Sequence, residues 1–219
     1  MVLAAALPIE SHFLIKRLSK VEKIVSKDIC SISAGYAYGR RIFVLTSGPG
    51  GLNAALAHEF LHTNFEVGQV ITFGLAGSLN EDLSVGDIVI PTAVGLAEGG
   101  EDDDLPLDPI NRRVAYGGNV TFGGLALQSS QPLGPERKRA LGGRRAICVD
   151  MESHTAATIA KKHGACHSVV RVISDEMDTP LNLTNPKADT MFMAAARVAV
   201  ERNAEFLYAM LAGEMNRAV

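Results

Sequence analysis

Six runs of this chain are apolar along most of their length, not at every second residue. They are VLAAAL (2–7), RIFVLTS (41–47), QVITFGLAG (69–77), VGDIVIPTAV (85–94), AICVD (146–150) and CHSVVRVIS (166–174). A strand with one wet face alternates, whereas a strand apolar throughout is covered on both faces. Between the runs lie helix-like segments: IESHFLIKRLS (9–19), residues 52–65, MESHTAATIAKKHG (151–164) with Gly164 as its stop, and an Ala-rich stretch over 189–211. This interleaving predicts an α/β protein, a three-layer α/β/α sandwich with a mostly parallel, mixed central sheet. Residues 95–145 break the pattern with Gly, Pro and charge, and predict loops, short strands and a candidate flap. No linker separates two cores, so 1–219 reads as one domain.

The bulk numbers exclude several classes. A hydrophobic share of 47% places the chain among ordinary globular proteins, and a net charge of -3 argues against a general nucleic-acid or membrane-surface binder. No apolar run reaches the roughly 18 residues a membrane helix needs. The opening MVLAAALPIES (1–11) has no basic leader and soon meets Glu10, so it reads as a first core strand and not a signal peptide. Cys30, Cys148 and Cys166 form no CxxC pair, which predicts neither a disulfide framework nor a zinc knuckle, and points to a reduced, cytoplasmic protein. We expect no cofactor, no metal, no nucleic-acid partner and no membrane span.

In open α/β sheets, ligands bind beyond the carboxyl ends of the strands. Here those ends carry Glu10, the turn GPGG (48–51), Gly74 to Gly77, the triplet Asp150-Met151-Glu152, and Ser174-Asp175. Glycines let a ligand approach the backbone, and gathered carboxylates perturb one another, so this rim is the expected reaction site. A guanidinium inside an apolar strand, Arg171, is a natural companion for those carboxylates.

FGLAGSLNEDLSVGDIVI (73–90), VDMES (149–153) and VVRVISDEMD (169–178), in this order, resemble the purine nucleoside phosphorylase/uridine phosphorylase superfamily. The nearest branch is that of methylthioadenosine/S-adenosylhomocysteine nucleosidases, and AALPIE (5–10) also fits it. The wording of VDMES and RVISD further resembles phosphorylase-like proteins associated with hopanoid biosynthesis. The resemblance implies cleavage of a purine–ribose N-glycosidic bond. It implies Asp175 as the acid that protonates N7 of the base and Glu10 as the residue that orients and deprotonates a water, with Arg171 near that water. It further implies Glu152 on the ribose hydroxyls, Met151 against the sugar, Ser174 beside Asp175, and Leu75, Ala76 and Gly77 near the base. Leu7 and Pro49 would wall the 5′ side, which suits an apolar 5′ group such as methylthio or a larger lipid-like substituent. A homo-oligomer, a dimer in the first instance, is the family's usual form.

The residue types suit the chemistry. The leaving base is a poor anion and needs an acid, worth roughly 10²–10⁴-fold. Carboxylates stabilise the cationic sugar. An Asp ordinarily titrates near 3.9, so Asp175 needs burial or carboxylate neighbours to carry a proton at neutral pH. The superfamily's phosphorylases hold phosphate with arginines. One of them lies just before the glycine turn of the third strand; here that position is Thr72, and LPIES (7–11) has no arginine. Phosphate needs charged partners, so water is the expected nucleophile and phosphorolysis the alternative. Leu75 and QSSQPL (128–133) depart from the family pattern.

Two motifs compete. HEFLH (58–62) matches a zinc-protease pattern, but no third ligand follows, and the histidines fall on a polar helix sector expected at a solvent boundary. GPGGLN (48–53) resembles a dinucleotide loop with Asn53 in place of the last glycine, which leaves an oxidoreductase as a lesser reading. The acidic run EDDD (101–104) and the basic run ERKRALGGRR (136–145) read as solvated loops.

Overall fold

The computed structural model describes residues 1–99, 103–110, 114–142, 145–180 and 190–215. In chain order the elements are β1 (Val2–Ala5), α1 (Pro8–Ile15), β2 (Ser19–Lys27), β3 (Cys30–Ala37), β4 (Arg40–Thr46), α2 (Gly51–Asn64), β5 (Gln69–Ser78), β6 (Ile88–Ile90), β7 (Ala93–Leu96) and β8 (Leu105–Pro106). They continue with β9 (Val120–Phe122), β10 (Leu125–Gln128), α3 (Pro135–Gly142), β11 (Ala146–Asp150), α4 (Ser153–Lys162), β12 (Cys166–Asp175) and α5 (Thr190–Met215).

The continuous apolar strands are buried on both faces, as their pattern requires. In β1, Leu3 and Ala5 join the core that holds Leu14 of α1 and Phe206, Leu207 and Met210 of α5. Val2 and Ala4 point the other way and pack with Ala57 and Leu61 of α2. β12 divides likewise: Val170 and Val172 face α5, while Val169 and Ile173 join Ala157 of α4. Two helices on each face of one mixed sheet make the three layers.

The sheet is parallel where it matters least and antiparallel where it matters most. β5 lies between β1 and β12, parallel to both, with Ala4 opposite Thr72 and Val170 opposite Phe73. At its far end it pairs antiparallel with β11, Val149 opposite Gly77. Two groups of strands thus meet head-on, and the carboxyl ends of β5, β11 and β12 converge on one spot. The shared rim foreseen for a parallel sheet arises from this meeting.

Several readings change. Residues 19–37 form a hairpin, β2 and β3, that has no apolar run to announce it. The run 85–94 is two strands because Pro91 has no amide to donate; β6 pairs with β12 and β9, while β7 pairs with β10 and β8. The basic run read as a solvated loop is largely helix α3, in which Lys138 and Leu141 are buried. In the acidic run Asp103 is exposed and Asp104 half-buried, while Glu101 and Asp102 lie outside the described residues. His58 is 2% exposed, not at a solvent boundary, because α4 packs over α2 and closes that face.

Candidate active site

At the convergence of strand ends lies a cavity of about 420 Å³. Glu10, Glu152 and Asp175, which are 142 and 23 residues apart in sequence order, all line it. So do Leu7, Pro49, Leu75, Ala76, Gly77, Met151 and Ser174. The fold therefore gathers every residue foreseen for the site except Arg171, which lies behind the wall.

Glu10 is delivered by the start of α1. Leu7 is extended, Pro8 opens the helix with no amide to satisfy, and Glu10 reaches back to the free amides of that first turn. Its Oε2 accepts from Leu7 N at 2.7 Å and Ala6 N at 3.0 Å, and its Oε1 accepts from Leu75 N at 2.8 Å. Burial pushes the carboxyl upward, opposed by these amides and by the charge of Arg171. Gly74 makes the arrangement possible: its φ is +146°, and a methyl there would lie 2.7 Å from the Glu10 carboxyl carbon.

Arg171 lies among the carboxylates, paired with Asp150. It is 1% exposed, and its Nε lies 2.8 Å from Oδ2 of Asp150, whose side chain is fully buried. Its Nη2 donates to Ser153 Oγ at 2.7 Å. Asp150 in turn accepts from the amides of Glu152 and Ser153 at 2.9 Å each, and from the Ser153 hydroxyl. Asp150 thus holds the amides at the start of α4 while neutralising the buried guanidinium, and this fixes the backbone from which Glu152 projects.

Glu152 is half-buried, and its Oε1 accepts from Gly50 N at 2.6 Å. Burial raises its pKa to about 7; the Arg171 charge opposes this and the Asp150 charge adds to it.

Asp175 has a partner that the sequence reading missed. Ser174 Oγ donates to its Oδ1 at 2.6 Å, and the Lys138 ammonium is bonded to its Oδ2. Lys138 is 1% exposed and also donates to the Glu176 carbonyl at 2.9 Å. Burial or carboxylate neighbours were expected for Asp175; it is buried, and the charge bonded to it is a cation. The remaining wall is apolar, with Pro8, Ile9, Phe192 and Met193 continuing from Leu7 and Pro49. Among the described residues no three His, Cys, Asp or Glu side chains are placed to hold a metal ion. His58 and His62 on α2 belong to a separate cluster with His167 and His163, in which His62 and His163 stack at 5.0 Å.

The family model for the Phosphorylase superfamily matches residues 1–116 and 110–212. A 5′-methylthioadenosine/S-adenosylhomocysteine nucleosidase of Baumannia cicadellinicola subsp. Homalodisca coagulata is 30% identical over 196 residues, 78% of this chain and 83% of that protein. One from Marinomonas sp. (strain MWYL1) is 27% identical over 209 residues, 84% of this chain and 86% of the relative. The crystal structure of the Neisseria meningitidis 5′-methylthioadenosine/S-adenosylhomocysteine nucleosidase in complex with methylthio-immucillin-A superposes with a TM-score of 0.82 at 23% identity, over 96% of this chain and 97% of that one, which shows the shared fold. This chain belongs to the phosphorylase superfamily, in which these relatives are 5′-methylthioadenosine/S-adenosylhomocysteine nucleosidases.

Proposed function

We propose that the protein hydrolyses the N-glycosidic bond of a purine nucleoside, an adenosine derivative with an apolar 5′ group, and releases the base. The observation that carries this is the cavity itself: Glu10, Glu152 and Asp175, from distant segments, line one pocket with Asp150, and most of its other lining residues are apolar. A volume of about 420 Å³ suits a nucleoside-sized ligand. In this reading Asp175 passes a proton to N7 as the C1′–N9 bond breaks. Glu152 accepts from the ribose hydroxyls, with Met151 against the sugar. Glu10 takes the proton of the incoming water; its Oε2 already holds two amides, while Oε1 holds one and has a lone pair left. The gathered negative charge stabilises the sugar cation. Leu7, Pro49, Phe192 and Met193 give the 5′ substituent an apolar wall.

Phosphate as nucleophile has less support. Among the described residues lining the cavity Lys138 is the one cation, and Asp175 already engages it. The test is incubation with methylthioadenosine and other 5′-substituted adenosines, with and without phosphate, followed by identification of both products. Free adenine with a free sugar is expected. Sugar 1-phosphate formed only with phosphate would establish phosphorolysis, and no base release from any of them would refute the reading.

Quaternary structure and location belong to the same proposal. A homo-oligomer, a dimer first, is supported by Leu52 and Leu56 of α2, 76% and 47% exposed beside the cavity turn at Pro49. The cytoplasm is supported by Cys30, Cys148 and Cys166, all free thiols. Sedimentation at micromolar concentration checks the first.

A further inference from the structure

Both oxygens of Asp175 are engaged, one of them by a cation: Oδ1 accepts from the Ser174 hydroxyl and Oδ2 from the Lys138 ammonium. An ammonium beside a carboxyl favours the ionised form, so the mobile proton of such a pair sits on the nitrogen. Of the two partners a serine hydroxyl is a very weak acid, while an ammonium is a usable one. We propose that Lys138 is the proton reservoir of the reaction, a positioning residue that hands a proton through Asp175 to the base in step with the breaking of the C1′–N9 bond. The inference rests on the nucleosidase reading above.

Three further observations support it. First, Lys138 sits three residues before Leu141 on the buried stripe of α3, where the helix period asks for an apolar side chain. Desolvating an ammonium costs several kcal/mol, and leucine would fill that place more cheaply. Second, the backbone is cut away to admit the pair. A methyl at Gly77 would lie 2.9 Å from Asp175 Oδ2, 3.1 Å from Lys138 Cε and 3.2 Å from its Nζ. Third, the pair is aimed at the pocket: Lys138, Asp175 and Gly77 all line the cavity. The other charged groups around it are accounted for. On the solvent side Arg139 Nε pairs with Asp178 at 2.9 Å. On the cavity side stand Glu152 and Glu10, with Asp150 held by Arg171.

The step balances. The C1′–N9 bond breaks and its electron pair stays with the base. Lys138 gives a proton to Asp175, and Asp175 gives its proton to N7. The water oxygen bonds to C1′ and its proton passes to Glu10. Solvent returns a proton to Lys138 and removes one from Glu10, so nucleoside and water become base and free sugar. An ordinary aspartic acid, titrating near 3.9, is almost empty of protons at neutral pH, whereas an ordinary ammonium, titrating near 10.4, is full. A lysine thus still holds a proton to relay through the aspartate across the neutral and mildly alkaline range.

The experiment compares adenine release from methylthioadenosine by wild type, Lys138→Gln and Lys138→Arg, as kcat and KM across pH. Lys138→Gln keeps a donor on Asp175 but has no proton to pass, so its deficit in kcat should grow by at least about tenfold between about pH 5.5 and about pH 8.5. Lys138→Arg keeps the ion pair and serves if the glutamine variant fails to fold. Arg does not deprotonate, so kcat at about pH 7.5 should fall at least about tenfold with the unfolding temperature unchanged. A deficit in Lys138→Gln that is the same at every pH, or an arginine variant at the wild-type rate, overturns the proposal. Wild type that releases no base from any 5′-substituted adenosine instead overturns the nucleosidase reading beneath it.

Discussion

Replacing Arg171 with methionine tests whether the buried guanidinium is scaffolding. Arg171 and Asp150 are 1% and 0% exposed at their side chains, 2.8 Å apart. Removing one member of such a pair leaves an uncompensated charge, which typically costs 3–5 kcal/mol. Asp150 would keep two amide donors and the Ser153 hydroxyl, which places the expected loss at the lower end, about 3 kcal/mol. For a chain of this length each kcal/mol moves the melting temperature by about 2–4 °C, so Arg171→Met should melt about 6–12 °C lower. Urea unfolding at neutral pH measures the same loss directly. The companion variant Asp150→Asn/Arg171→Met removes both charges and should regain at least about half of the loss. If Arg171→Met lies within about 1 kcal/mol of wild type, or the double variant is worse by the full sum of the singles, the pair is not the buried, coupled unit described here.

Gly77→Ala should push Lys138 and Asp175 apart and lower kcat by about tenfold or more, with unfolding changed by less than about 1 kcal/mol; a fully active alanine variant would show the pair is loosely held. Glu152 has a folded-state pKa of about 7 against 4.5 unperturbed, so the stability linked to its protonated form is complete below about 4.5 and is lost as pH rises through about 7. Glu152→Gln should therefore gain stability relative to wild type between about pH 5 and 8, while losing nucleoside affinity; parallel stability curves would refute the titration. Among the described residues neither ring nitrogen of His167 has a hydrogen-bond partner, and burial lowers its pKa to about 3 from 6.5. Its neutral form is favoured in the folded state, so stability is present above pH 6.5 and falls as acid is added. Unfolding of His167→Leu between pH 6.5 and pH 4 should avoid a loss of about 3 kcal/mol that wild type suffers, and equal acid sensitivity would contradict this.

The parts that sequence displayed and the parts it hid differ in a physical way. Strands buried on both faces announce themselves, because every position must be apolar; β1, β4, β5, β11 and β12 were all legible. β2, whose residues are exposed along almost its whole length, carries Lys20, Glu22, Lys23 and Lys27 as an edge strand should, and so looks like a loop. Its partner β3 does alternate in burial, and that period-two signal was available. The carboxylates were legible because each lies at or shortly after the carboxyl end of a strand, where ligands bind. Asp150 could have been assigned too: a guanidinium inside an apolar strand requires a buried anion, and Asp150 ends a neighbouring apolar run. Lys138 could not. In ERKRALGGRR it looks like any other surface cation, and only the approach of α3 to the end of β12, 37 residues away, sets it apart. The HEFLH wheel identified a polar sector correctly but could not see that α4 and β12 would cover it with His163 and His167.

The division of labour among the four carboxyl groups follows from who holds each one. Asp150 is consumed by Arg171, by Ser153 and by the amides at the start of α4, so it organises and does not react. Glu10 is held by three amides yet keeps one lone pair, which suits a group that must fix a small neutral molecule such as water. Asp175 is matched by one cation and one hydroxyl, which suits a group that passes a proton and returns to its starting charge. Glu152 is the least satisfied: among the described residues its one hydrogen-bond donor is the Gly50 amide. A buried carboxyl short of donors is unfavourable unless a ligand supplies them. Two vicinal hydroxyls of a ribose are such donors, so binding the sugar would relieve at Glu152 the penalty that raises its pKa. Substrate affinity and the titration of Glu152 should therefore move together: nucleoside binding should lower that pKa and release a proton near pH 7, which calorimetry in two buffers of different ionisation heat would detect, and binding without proton release would separate Glu152 from the sugar.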